Sequence, residues 1–166
     1  MNGALNSLRQ AVAEQLRQAG LNAVTAMESA RASRWREPVT AVSLNRVVCA
    51  PGGFKDYLGV QTDRETGTER ELYGREVELT LALDIYAPRD GGGSACQQTA
   101  ETVTETLVCQ GAAGLNALEI QAGQVDFLES TGLYRLPVSC RCKAWLVAAM
   151  ESGGAFVDFE VKGRMK

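Results

Sequence analysis

The sequence predicts an α+β fold built on a mostly antiparallel β-sheet, on three observations. Residues 76–87 alternate so strictly that Val77, Leu79, Leu81, Leu83, Ile85 and Ala87 share one face of a strand, while Glu76, Glu78, Thr80, Asp84 and Tyr86 face the other way. One buried and one wet face exclude a strand buried on both sides in a parallel sheet. Two other stretches carry apolar residues at helical spacing, Leu5, Leu8, Val12 and Leu16 in the first and Cys96, Ala100, Val103 and Leu107 in the second. Proline and glycine punctuate the rest, at Pro51–Gly53, Pro88, Gly91–Gly93, Gly111 and Gly114. The 166 residues fit one domain spanning 1–166, long enough to bury a core without a metal or disulfide staple.

The elements follow in chain order. The first helix has Arg9, Glu14, Arg17 and Gln18 on its wet side and Gly20 placed to end it. Residues 22–27 fit either a short strand through Val24 and Met27 or a helical turn. Arg31, Arg34, Trp35 and Arg36 interleave basic and aromatic residues, a pattern that contacts nucleic acid in some proteins but reads on an acidic chain as a solvated turn. Pro38 opens a β-rich run over 38–49 with apolar residues on both faces, which places it inside the sheet. Residues 52–75 show no clear periodicity, and charges alternate over Asp63–Glu71 around Thr66–Thr68 as at the tip of an extended hairpin. A plain reading is a solvated β-excursion between two strands, yet compact domains seldom keep so long a loop without a use. Because Gln61–Glu71 has almost no apolar content, residues 53–74 are expected to form a mobile arm.

After the 76–87 strand, Ser94 with Gln97 three residues on forms a capping-box pattern for the second helix. The triple glycine before it lacks the spacing and the Gly-Lys-Ser/Thr ending of a phosphate loop and reads as a hinge. Leu118 and Ile120 alternate up to Gly123, and Val125 and Phe127 continue that strand after a bulge. Residues 133–150 alternate again. Tyr134, Leu136, Val138, Cys140, Cys142, Ala144, Leu146 and Ala148 point one way, and Arg135, Ser139, Arg141 and Lys143 point the other. Pro137 donates no ladder bond, so the strand there is at an edge or bulged. Val157, Phe159 and Val161 make a short terminal strand. The wet face of 76–86 is acidic and that of 133–143 is basic, so the two strands are expected to be neighbours with cross-strand charge pairs.

Composition narrows the function. A net charge of −3 argues against broad phosphate-backbone binding. Five cysteines at 49, 96, 109, 140 and 142 include no CxxC and histidine is absent, so the thiols read as reduced and structural, with no metal and no cofactor expected. Without histidine, and with carboxylates on solvated strand faces or in a charged loop, no nucleophile–base pair is legible, and the chain is expected to be no enzyme. There is no apolar run near the ~20 residues that span a bilayer and no leader-like N-terminus, so synthesis in the cytoplasm and no membrane contact are expected.

Pro38–Leu44, Glu78–Pro88 followed by the helix at 94–109, and Leu133–Cys142, taken with the first helix, resemble the tail terminator, or tail completion, proteins of long-tailed bacteriophages in the order of their elements. The resemblance covers most of residues 1–150. It implies a sheet with two main helices packed on one face and an extended loop joining the second strand to the third. It also implies a ring, six-membered in the family, that caps the head-proximal end of the tail tube, stops its polymerisation and joins the neck. DNA passes through such a ring without specific binding, and the setting is the virion tail. The loop would reach the tail tube protein through Phe54, Tyr57, Asp63, Arg64, Glu65, Glu69 and Arg70. Subunit interfaces would draw on Arg31, Arg34, Trp35 and Arg36 and on the added C-terminal strand with Phe156 and Phe159, which also offers pairing to a sheath protein. A head–tail connector docking to a neck protein, and a small nucleic-acid- or ligand-binding α+β module, are the alternatives.

Overall fold

The computed structural model describes residues 3–27, 34–51, 56–150 and 156–163. Helix α1 (Ala4–Gln18) leads into β1 (Asn22–Val24), β2 (Val39–Pro51), β3 (Tyr57–Thr62) and β4 (Glu69–Pro88). Helix α2 (Gly92–Gln110) follows, then β5 (Ala117–Ala122), β6 (Asp126–Leu128), β7 (Leu133–Leu136), β8 (Val138–Met150) and β9 (Phe156–Lys162). The fold is α+β, one open mixed sheet in which, among the described residues, only the β1–β2 pair is parallel.

The 20-residue β4 is the axis of the sheet. On one side it pairs with β2 from Tyr86 to Arg75 and then with β3 from Tyr73 to Glu69. On the other it pairs with β7 and then β8 in one unbroken register, from Leu133 opposite Pro88 to Met150 opposite Glu71. Val77, Leu79, Leu81, Leu83, Ile85 and Ala87 are all buried, as the alternation requires. Cys96, Ala100, Val103 and Leu107 of α2 and Leu8, Val12, Ala13 and Leu16 of α1 share one core with them, so both helices cover the same face of the sheet. Burying each large aliphatic side chain there contributes about 1.5–3 kcal/mol.

Helix α1 ends as a Schellman turn. Gly20, at φ +86°, donates its N–H to Arg17 O, and Leu21 N–H reaches Leu16 O. The turn aims the chain into β1, where Arg17 Nε donates to Ala23 O at 2.9 Å. The ambiguity over 22–27 resolves in part as a strand because parallel pairing with Val39–Ala41 satisfies that backbone. A Gln15 clamp ties α1 to the loop after α2, its Nε2 donating to Gly111 O at 2.8 Å and its Oε1 accepting from Ala113 N at 2.8 Å. Helix α2 itself starts at Gly92, two residues before Ser94, with no side-chain cap, so the capping-box expectation does not hold. The left-handed Gly92, at φ +61°, turns the chain there instead.

Pro137 lies between β7 and β8 without breaking their common register on β4. Its carbonyl accepts from Gly123 N at 2.8 Å, and since N and O of a strand residue point to one side, its donor-less nitrogen faces the outer edge and costs β4 no bond. Along that edge β5 pairs with β8 and β6 with β7. Four steps from Ala122 to Asp126 match three from Val138 to Arg135, which is the anticipated bulge. β9 pairs with β8 and closes the same edge toward its far end.

Three readings need correction. β2 is internal only where β1 covers Val39–Ala41; Asn45–Ala50 are exposed, Val47 and Val48 among them, because β1 is three residues long. Tyr86, assigned to the wet face, is only 7% exposed. It packs with Leu133, Met27, Ala41, Leu128 and Trp35, whose ring lies 6.1 Å from its own, so the supposed solvated turn contributes a lid to a second small core. Cys96, Cys140 and Cys142 are buried as structural thiols should be, but Cys49 and Cys109 are exposed.

Two substitutions test this packing in opposite directions. A Cβ on Gly74 would sit 2.4 Å from Leu146 O and 2.8 Å from Leu58 Cδ1, so Gly74→Ala should destabilise by about 2 kcal/mol in urea unfolding. Thr40 is fully buried and its hydroxyl has no hydrogen-bond partner, so Thr40→Val should raise stability by about 1 kcal/mol in the same assay.

Candidate functional site

The most distinctive surface is the hairpin formed by β3 and the first residues of β4. Tyr57 pairs with Tyr73, and after a bulge at Leu58 and Gly59 the ladder runs to Thr62 opposite Glu69. The stretch without clear periodicity, read as a β-excursion with a hairpin tip or as a mobile arm, is a ladder over 57–62 and 69–73, because β4 continues past the core and offers its backbone to β3. Sequence reasoning missed the anchor. Leu72 is buried, Leu58 packs against Gly74, and the Tyr57 and Tyr73 rings meet edge-on at 5.5 Å. At the base, Arg75 holds Asp56 Oδ2 with Nη2 at 2.9 Å and Nε at 3.2 Å.

The tip is the one the charge alternation indicated. Asp63 N–H donates to Thr68 O, Gly67 N–H donates to Asp63 O, and Asp63 Oδ1 accepts from Glu65 N at 2.8 Å and Thr66 N at 3.2 Å. Gly67, at φ +67°, takes the left-handed position. Arg64, Glu65, Glu69 and Arg70 are exposed around this turn, and Tyr57 and Val60 add exposed apolar surface on one strand. Tyr73 Oη donates to Glu71 Oε2 at 2.8 Å, which raises its pKa.

The other candidates lie elsewhere. Arg34 and Arg36 are exposed and Trp35 half-buried beside β1, separated from the hairpin by the length of β2, roughly 40 Å of strand. The structure therefore does not bring the arm and the basic segment together. Phe54 and Arg31 lie outside the described residues, as do the side chains of Phe156 and Phe159, whose backbone forms β9.

Behind these surfaces, the sheet face away from the helices carries the expected charge ladder. Arg135 reaches Asp84 at 3.1 Å, Arg141 reaches Glu78 at 3.5 Å and Glu119 at 3.0 Å, and Lys143 reaches Glu76 at 2.8 Å. Arg135, Arg141 and Lys143 each span diagonally to the β4 carboxylate two residues beyond their direct partner, within reach of long side chains. The hydrogen bond from Lys143 to Glu76 raises the lysine's pKa.

One feature had only a faint signal in the sequence. Val108 follows Leu107 of the α2 stripe, interrupts its helical spacing, and is 68% exposed. It lines a cavity of about 760 Å³ with Cys109, Leu118 and Ile120, and a neighbouring groove of about 1070 Å³ runs between α2 and residues 122–125. Among the described residues no cluster of three or more His, Cys, Asp or Glu is placed to hold a metal ion, and no helix is long and apolar enough to cross a membrane. What the arrangement offers is recognition by shape, charge and exposed strand edge.

Compared with known proteins, the chain matches no family, and no curated protein resembles it closely enough to register.

The tip has a pH signature. The Glu65 and Thr66 amides hold the Asp63 carboxylate below its ordinary value of 3.8. The bonds therefore favour the turn fully above that value and are lost as pH falls through the lower folded pKa. In an NMR titration the Glu65 and Thr66 amide shifts should move with one midpoint below 3.8, and a midpoint at or above 3.8 would contradict the turn.

Proposed function

We propose that this chain is a structural protein of a bacteriophage tail, a terminator that forms a ring on the end of the tail tube, stops its growth and presents a surface to the neck. The observation that carries the reading is the hairpin of Tyr57–Thr62 with Glu69–Tyr73, which prolongs the central strand beyond the helix-covered core and ends in a charged tip. A projecting, folded arm suits insertion against a tube subunit, and Tyr57 and Val60 with Asp63, Arg64, Glu65, Glu69 and Arg70 are its contact residues. A folded hairpin loses less entropy on docking than a disordered loop, so fewer contacts suffice for capping. The order of helix, strand, excursion, long strand, helix and paired strands supports the same reading. In this role the protein acts by contact and catalyses nothing; its partners are further copies of itself, the tube protein, a neck protein and, where the tail contracts, a sheath protein.

The test removes the charged tip of the arm and leaves the fold. Replacing Thr62–Glu69 with Asn-Gly joins Gln61 to Arg70, a facing pair, through a two-residue turn. The variant should keep its unfolding midpoint yet fail to cap, giving over-long tails by electron microscopy of an assembly reaction. Tails of normal length with this variant would refute the tip's role in capping.

A further inference from the structure

The two edges of the sheet carry opposite charge. Among the described residues β1, at one edge, pairs only with β2, and beside it Arg17, Arg34, Trp35, Arg36 and Glu37, the last held by Asn22, line a shallow pocket of about 440 Å³ in which arginine outnumbers carboxylate. Arg17 is paired with Glu14, whereas Arg34 and Arg36 make no ion pair among the described residues. At the other edge β5 pairs, among the described residues, only with β8. Above it runs the groove along α2, whose two halves share Thr104. Glu101 and Glu105 stand exposed on its helical wall with no ion pair among the described residues, and α2 contains no lysine or arginine to balance them. Ala100, Val125 and Leu136 line the groove with apolar surface, and Val108 and Leu118, the latter 43% exposed, extend that surface along β5.

We propose that the Arg34–Trp35–Arg36 edge of one copy seats in the α2–β5 groove of the next, with the two arginines facing Glu101 and Glu105. The occupant is a second copy because the missing counter-charge for each edge is present on the other edge of the same chain. Two different patches meet, so the contact is heterologous and each added copy presents a fresh groove; such a series closes into a ring when the rotation per copy allows. The inference builds on the ring reading above and names the surfaces that make the ring. Burial of Val108 and Leu118 supplies apolar area, and the charges fix direction and register.

The experiment uses the full chain with and without tube protein, following mass by light scattering. Arg34→Glu with Arg36→Glu, and separately Glu101→Arg with Glu105→Arg, should each raise the assembly midpoint roughly tenfold or more. An equimolar mixture of the two variants should reassemble, since each then meets a complementary edge. Cys109 lies in the proposed contact and Cys49 outside it, both exposed in the single chain, so maleimide labelling of Cys109 alone should slow on assembly. Rings that form unchanged in both variants, or label equally at Cys109, overturn this assignment and leave the ring reading standing. A wild-type chain that stays monomeric in both conditions overturns both.

Discussion

The register of β4 is the constraint on which the rest of the structure depends. One strand of 20 residues serves β2 and β3 on one side and β7 and β8 on the other, so a slip of one residue would turn the whole row from Val77 to Ala87 toward water. Several large aliphatic side chains at about 1.5–3 kcal/mol each stand against such a slip, far more than any ion pair at the surface contributes. The charge ladder acts differently. It favours β8 over another strand as the neighbour, because Arg141 and Lys143 meet Glu78 and Glu76 only in this pairing.

Both helices lie on one side of this frame and leave two ends uncovered. At the β1 end, Trp35 closes over Tyr86 on the face away from the helices, so the basic segment is pinned by its aromatic residue while Arg34 and Arg36 stay in water. At the opposite end β4 outruns both helices, and Leu72, Leu58, the tyrosine pair and the Arg75–Asp56 ion pair anchor the hairpin beside β8. Two of the surfaces offered for recognition, the hairpin and the basic edge, are thus ones the helices do not reach, while the third lies along α2 itself.

What was legible in the sequence follows from what periodicity encodes. Strict alternation gave the core strands and their buried faces, opposite charge on two wet faces gave the β4–β8 neighbourhood, and helical spacing gave both helices, whereas β3 and the start of β4 showed no period. Alternation names a face without saying whether anything covers it, which is why Tyr86 was assigned to water and the outer half of β2 to the interior. The capping-box pattern at Ser94 was overridden by Gly92, whose left-handed conformation starts the helix earlier. For the candidate site, the hairpin tip was readable from Asp63 and Gly67, whereas the packing of Leu58 on Gly74 joins residues whose meeting depends on the sheet's path. The α2 groove left a single trace, the displaced Val108.

The acidic row on β4 has a consequence for the chain during synthesis. β2 and β4 are complete long before β8 emerges, so one edge of a long apolar strand waits without its partner while some 60 residues are made. In that interval two nascent chains that paired β4 to β4 would bring Glu76, Glu78 and Asp84 of one against the same carboxylates of the other. The carboxylates that later bind Lys143, Arg141 and Arg135 therefore first act as a guard, keeping the unfinished sheet apart from its twin until its own second half arrives.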